Sequence, residues 1–380
     1  MKMNAGIIGL GWFAGMILES LKGTEEIPVT AAADIDKKKA KNFGQRFDIA
    51  KIYDNADDLI SNQDICIVII STPPHLHYYL AKKAILAGKN VFLEKPGALK
   101  PGQMQELKDL ALEKNIKATV DFVMRRNPLY LILERLCKKN IFGLPERACL
   151  ENCAHDDSLP PQHWFWDYEK SGGIWVEHGV HFFDLVNWLM GPPLEARGSK
   201  YRREGCNLVD RVAGIALHQK GAIVSYYHGF TKPEVFENAS FSLVFERAYT
   251  RVEGWIPVSL SVDAMVTPEA DEFLSRDILD EARSFLPGID VNLIKRELKQ
   301  FDGGRIFQGR GKQFKASARS EYIFRLDKDR WEIYRACVRQ GMLDLARAIK
   351  GQKPEPDVTL EDAKKALCVA DMMETESFAP

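Results

Sequence analysis

Ala5-Gly6-Ile7-Ile8-Gly9-Leu10-Gly11-Trp12-Phe13-Ala14-Gly15 decides the fold. An apolar run of strand length, Ala5 to Leu10, passes directly into a helix expected from Ala14 to Leu21. Gly9 and Gly11 occupy the turn between them, where missing side chains permit a tight bend and let backbone amides approach a pyrophosphate at the helix N-terminus. Ala14 takes the third position of this fingerprint, where close helix-to-strand packing needs only a small residue. Gly9, Gly11, Trp12 and Phe13 are therefore the candidate dinucleotide cradle, with a ligand-free structural turn as the competing reading.

Outward from this turn the pattern repeats. Strands are expected at Val29 to Ala33, Ile65 to Ile70, Asn90 to Leu93 and Lys117 to Val120, and helices near Lys37 to Phe47, Leu76 to Ala87 and Pro101 to Lys114. Gly23 and Gly88 fall where helix C-caps belong. Such alternation predicts a doubly wound parallel sheet. Beyond Arg125-Arg126-Asn127-Pro128 it changes. A helix from Leu129 to Lys139, a polar and aromatic loop from Ala154 to Lys170 and a helix ending at Met190 precede alternating runs at Val212 to Leu217, Ala222 to Phe230, Ser240 to Phe245 and Ala248 to Trp255. These read as a large, mainly antiparallel open sheet. The expected division is a nucleotide-binding domain at 1–122 and an α/β substrate-binding and oligomerisation domain at 123–380, with 266–330 read as a mostly helical insertion. Helices from Trp331 to Lys350 and Leu360 to Met373 follow, the second capped by Thr359 with Asp362 in its first turn.

Composition excludes several classes. The 380 residues carry a formal net charge of -1, so no global field favours nucleic acid or an anionic membrane; Lys37-Lys38-Lys39 reads as a solvated helix face. The longest apolar run, Ile65 to Ile70, is far too short for a bilayer, and Met1-Lys2-Met3 leads straight into a strand, so a cytoplasmic protein is expected. Seven cysteines without a CxxC pair, Cys149 and Cys153 being the closest, argue for reduced thiols and against structural zinc.

Chemistry concentrates at two places. Glu94-Lys95-Pro96 ends the fourth expected strand, beside the dinucleotide, where a partly desolvated lysine suits transfer of a hydroxyl proton during hydride transfer; Glu94 orients the loop. Gly172-Gly173 opens a helix on which Glu177, His181 and Asp184 share a face, an arrangement in which acids orient an imidazole. Glu177, His178 and His181 spell EHxxH rather than the HExxH of zinc proteases, and His155 and His163 complete no obvious set, so no metal is expected. Asp34 ends the second strand, where an acid meets ribose hydroxyls and disfavours a 2′-phosphate, which favours NAD over NADP. Ser71, Thr72 and Pro73 shape the cofactor groove, His77 is placed to touch ribose or substrate, and Trp164, in a loop with Phe165 and Trp166, is read as lining a substrate pocket.

GLGWFAG at 9–15, AAADID at 31–36, STPPHLH at 71–77, EKP at 94–96, RRNP at 125–128, GGIWVEHGVHFFD at 172–184 and PDVTLEDAKKAL at 356–367 together resemble the family of glucose-fructose oxidoreductase, inositol dehydrogenase and the rhizopine-catabolism protein MocA. The resemblance implies a Rossmann domain, a second α/β domain whose open sheet often joins subunits into dimers or tetramers, and NAD or NADP chemistry on small-molecule sugars and polyols. It implies a catalytic lysine at Lys95, a histidine at His181 and a supporting acid at Glu177, where the family commonly has aspartate. An NAD-dependent oxidoreductase acting on a secondary alcohol of a sugar, cyclitol or derivative is the leading expectation. NAD-assisted glycoside cleavage and a non-catalytic nucleotide-sensing protein are the alternatives.

Overall fold

Four consecutive apolar residues, Ile67 to Ile70, can all be hidden only in a strand covered on both faces, and all four are buried. The structure, a computed structural model, describes residues 2–206 and 208–375. Its first sheet has six parallel strands: β1 (Ala5–Ile8), β2 (Val29–Ala33), β3 (Lys51–Tyr53), β4 (Ile67–Ile70), β5 (Asn90–Leu93) and β6 (Ala118–Val120), in the order β3-β2-β1-β4-β5-β6. The chain winds outward one way from β1 and the other way from β4, so the topological switch lies between those two strands. Each fully buried isoleucine contributes roughly 1.5–3 kcal/mol. Short β3 was not anticipated; its pattern, exposed at Lys51 and Ile52, lacks the apolar signature of a central strand.

Two compact units divide the chain, and they are not consecutive segments. The first combines Met1–Val123 with Pro161–Asp184 and Cys337–Asp371, so two stretches assigned from sequence to 123–380 belong with the nucleotide-binding sheet. Polar ties explain the C-terminal one: Thr119 Oγ1 donates to the Val358 carbonyl at 2.8 Å, Lys108 pairs with Glu361 at 2.7 Å, and Lys364 donates to Gln105 Oε1 at 2.8 Å. Helix Leu360–Thr375 starts with the expected cap, in which Asp362 N–H donates to Thr359 Oγ1 at 3.2 Å and Thr359 N–H to Asp362 Oδ2 at 2.9 Å.

A nine-stranded sheet dominates the second unit: β7 (Pro145–His155), β8 (Pro193–Arg202), β9 (Val209–His218), β10 (Ile223–Lys232), β11 (Asn238–Phe245), β12 (Ala248–Glu253), β13 (Ser259–Val266), β14 (Val291–Gly309) and β15 (Lys312–Leu326). Their order is β14-β15-β13-β12-β11-β7-β10-β9-β8, antiparallel except where β10 runs parallel to β7. Alternation is strict in β12, whose residues are buried and exposed in turn. The helical reading of 266–330 requires correction. Helical turns cover Pro268 to Phe285, but β14 and β15 then form a long hairpin. Edge strand β14 is exposed along most of its length and shifts register between Gln300 and Arg305, so it offers no twofold pattern; β15 buries small or polar Ala316, Ala318 and Ser320, which mask its own.

Candidate active site

Because the central parallel strands β1 and β4 are buried on both faces, their side chains offer nothing to a ligand, and polar residues gather just beyond the carboxyl ends. Gly9 follows β1 with φ +84°, and a Cβ there would stand 2.6 Å from the Ser71 carbonyl oxygen and 2.7 Å from Thr72, so only glycine lets this turn meet the segment after β4. Gly11 is the N-cap of helix Trp12–Leu21, and a Cβ there would meet nothing within 4 Å. The helix N-terminus thus faces open space with Trp12 70% exposed beside it, which fits a pyrophosphate.

Asp34 follows β2. Its Oδ2 accepts the Leu10 N–H at 2.9 Å, its Oδ1 accepts the Asp36 N–H at 3.0 Å, and Lys39 Nζ lies 2.9 Å from Oδ2. Burial opposes ionisation of this carboxyl, yet the bonds from Lys39 and the two amides outweigh it and hold the group below the usual aspartate range. A fixed anion therefore stands just past β2, bonded to the Gly9–Gly11 turn through the Leu10 amide.

His77 spends both ring nitrogens on backbone carbonyls. It is 1% exposed, with Nδ1 2.7 Å from the Pro96 carbonyl and Nε2 2.7 Å from the Thr72 carbonyl, so the ring ties the segment after β4 to the segment after β5. Burial pushes its pKa down to about 4 against the pull of those carbonyls. A histidine opening a helix gave no sign in the sequence that both nitrogens would be spent on backbone. Glu94 is turned inward: its carboxyl is buried and accepts the Lys95 N–H at 3.1 Å. Burial first, then the charge of Asp121, raises its pKa well above the usual range. Asp121 follows β6 as Glu94 follows β5, in register with it, and was passed over in the sequence although its position just past a strand was readable.

Lys95 reaches across to the segment 161–184 within the same unit. Its Nζ donates to Glu177 Oε1 at 2.8 Å and to the Glu177 carbonyl at 2.9 Å, with both side chains largely buried. Gly172 and Gly173, at φ +76° and +78°, make the approach to this contact; a Cβ on Gly172 would collide with Val176 at 2.7 Å. The helix then begins with a widened π turn, Trp175–Gly179, before the α-helix Val180–Met190. Such turns redirect side chains at functional sites. Glu177, His178 and His181 gather here, the two imidazole rings 6.4 Å apart and His181 edge-on to Phe122 at 6.2 Å. Burial, then the charge of Lys95, pushes His178 to about 3; the same two causes, with His178 added, set His181 well below the ordinary histidine value. Both rings are neutral at physiological pH, so each keeps a lone pair. Asp184 is fully buried one turn beyond His181.

His163 and Trp164 stand in a short 3-10 turn, Trp164–Trp166, with ring centroids 5.0 Å apart. Burial lowers the His163 pKa and the Glu177 carboxylate counters it across the same 161–184 segment. Sequence reasoning gave His163 and His178 only a metal-binding option. Among the described residues no group of three or more His, Cys, Asp or Glu is placed to hold a metal ion, no disulfide forms, and no helix is long and apolar enough to cross a membrane.

A dinucleotide-binding parallel sheet with a lysine–carboxylate pair and neutral imidazoles at its tip defines a class of nicotinamide-linked oxidoreductase. Residues 3–122 match the family described as GFO_IDH_MocA, oxidoreductase family, NAD-binding Rossmann fold, and residues 147–248 match the GFO/IDH/MocA C-terminal domain, together more than half of the chain. The chain belongs to this family. It is 31% identical over 193 residues to an uncharacterized oxidoreductase of Synechocystis, covering 50% of this chain and 52% of the relative. It is 28% identical over 192 residues to an inositol 2-dehydrogenase/D-chiro-inositol 3-dehydrogenase of Lactiplantibacillus plantarum, covering 49% and 52%. The chain thus spans about half the length of these curated relatives. Levoglucosan dehydrogenase, solved in complex with NADH, superposes with a TM-score of 0.76 over 99% of this chain and 97% of that one at 16% identity, a likeness of fold.

Proposed function

We propose that the protein is an NAD-dependent dehydrogenase acting on a secondary alcohol of a sugar, cyclitol or sugar derivative. The observation that carries this reading is the Lys95–Glu177 contact beside two neutral imidazoles, two strands along the sheet from the glycine turn. Nicotinamide, when bound, supplies the carbon that takes or returns a hydride. The protein's part is proton handling. Lys95 Nζ, held by Glu177, donates a hydrogen bond to the reacting oxygen, and His181 accepts the hydroxyl proton as the C–H bond breaks and C=O forms. In the reductive direction His181 returns that proton to the oxygen. Asp34 accepts from the ribose hydroxyls and repels a 2′-phosphate, the basis for NAD over NADP. Relatives named as inositol dehydrogenases support the substrate class.

The test is titration of the full chain with NADH and NADPH separately, following nicotinamide fluorescence, then a screen of sugars and polyols for NADH formation. Tighter binding of NADH with turnover of a neutral ring is expected. Selective NADPH binding overturns the cofactor choice, and binding without turnover of any sugar or polyol counts against the dehydrogenase.

A further inference from the structure

His163 and Trp164 use their hydrogen-bonding groups unequally. The His163 Nδ1 accepts the Phe165 N–H at 3.3 Å, which fixes the tautomer: with Nδ1 acting as acceptor in a neutral ring, the proton sits on Nε2. Among the described residues neither that Nε2–H nor the Trp164 Nε1–H is paired with an acceptor, and neither nitrogen is sealed from solvent. Both rings are half-buried, with Trp164 stacked obliquely on His163 at 38° and edge-on to Phe165, which is itself buried. Two adjacent N–H donors on a held aromatic platform, in the same 161–184 segment that supplies Glu177, suit a ring that offers hydroxyl acceptors at its rim and C–H groups on its face. Among the described residues Lys95 is already matched by Glu177 and Lys170 by Asp167, so neither stands free to draw a carboxylate or phosphate to the platform.

We propose that His163 and Trp164 form a subsite for a neutral polyhydroxylated ring, Trp164 carrying its C–H face and the His163 Nε2–H donating to a ring hydroxyl. This rests on the reading of the protein as a sugar or polyol dehydrogenase and names which members of that class enter: unmodified rings rather than uronic acids or sugar phosphates. The 3-10 turn fixes the two rings before any ligand arrives, so little ordering is required on binding. His163 and Trp164 are specificity-determining residues here, distinct from the proton-handling pair.

Three substitutions in the full chain separate the contributions. Trp164→Phe keeps a face and removes the N–H; His163→Asn keeps an acceptor for the Phe165 amide and removes the ring donor; Trp164→Ala removes the platform. With NADH present, binding of myo-inositol, levoglucosan and glucuronate is followed by saturation-transfer NMR and calorimetry, and KM and kcat are measured with NAD for whichever ring turns over. The expected losses in affinity are about fivefold for each donor and about thirtyfold for Trp164→Ala, with kcat within threefold and NADH affinity unchanged. Glucuronate should bind at least tenfold more weakly than the neutral rings, a factor of about 1.4 kcal/mol. Neutral rings bound equally by wild type and Trp164→Ala, no neutral ring bound by the wild type, or a preference for glucuronate overturns the subsite. Ring binding that depends on Trp164 without NADH formation upholds the subsite and overturns the dehydrogenase reading alone.

Discussion

The two sheets of this protein solve burial in opposite ways. In the parallel sheet β4 hides every residue, whereas in the antiparallel sheet β12 hides every other one and the free face keeps Ile215 and Ile223 half exposed and Tyr249 two-thirds exposed. A strand buried on both faces has no side chain to spare, so chemistry must come from the residue after its last buried position. Here Gly9, Asp34, Ser71, Glu94 and Asp121 are the first residues past β1, β2, β4, β5 and β6. One sheet is a scaffold with active tips; the other is a wall with a usable face.

Paired truncations probe that contrast most strongly. Ile69→Ala, at 0% exposure in β4, should destabilise by about 3 kcal/mol. Ile215→Ala, on the open face of β9, should cost less than about 0.5 kcal/mol. Urea unfolding of both variants checks this, and equal losses would mean that the open face is covered in solution, sharpening the case for subunit contact there.

Acid should weaken the tip of the parallel sheet before it weakens the wall. His178 has its pKa depressed to about 3 in the folded state, so the unfolded chain, titrating near 6.5, binds the proton first as pH falls. Its contribution is complete above pH 6.5 and is lost progressively between 6.5 and about 3, roughly 2 kcal/mol by pH 5. Glu94 works in the opposite sense, since a raised folded pKa adds stability as pH drops, so the comparison is made against His178→Gln. Wild type should lose more stability than this variant between pH 7 and 5 in chemical denaturation. Parallel loss in the two proteins would remove His178 from the acid response.

Cofactor choice is the smallest expected effect. Asp34→Ser removes the anion that Leu10, Asp36 and Lys39 hold in place and leaves Lys39 uncompensated, so the ratio of NADH to NADPH affinity should fall about tenfold. An unchanged ratio in the fluorescence titration would show that Asp34 does not face the ribose.

Legibility in the sequence followed the same division. Strands of the parallel sheet announce themselves as unbroken apolar runs, and glycine spacing, Asp34 and the Glu94-Lys95-Pro96 tripeptide mark their tips, so most of the first unit could be read in order. The wall was harder. β7 is an interior strand of its sheet, yet Glu146, Arg147 and Glu151 break its apolar run, and β14 has no buried face to impose a pattern. Contacts between distant stretches were also invisible: nothing local says that Lys95 and Glu177, 82 residues apart, meet. The two backbone bonds of His77 were equally invisible, because they depend on carbonyls at Thr72 and Pro96 that become neighbours only after folding.

The central claim is that the Lys95–Glu177 contact is the working end of the parallel sheet. Single-turnover formation of NADH from NAD and a neutral ring substrate, compared between wild type and Lys95→Met, tests it most directly. The account predicts a fall in rate of about a thousandfold or more with NADH affinity kept within threefold. Turnover undiminished in Lys95→Met would contradict it.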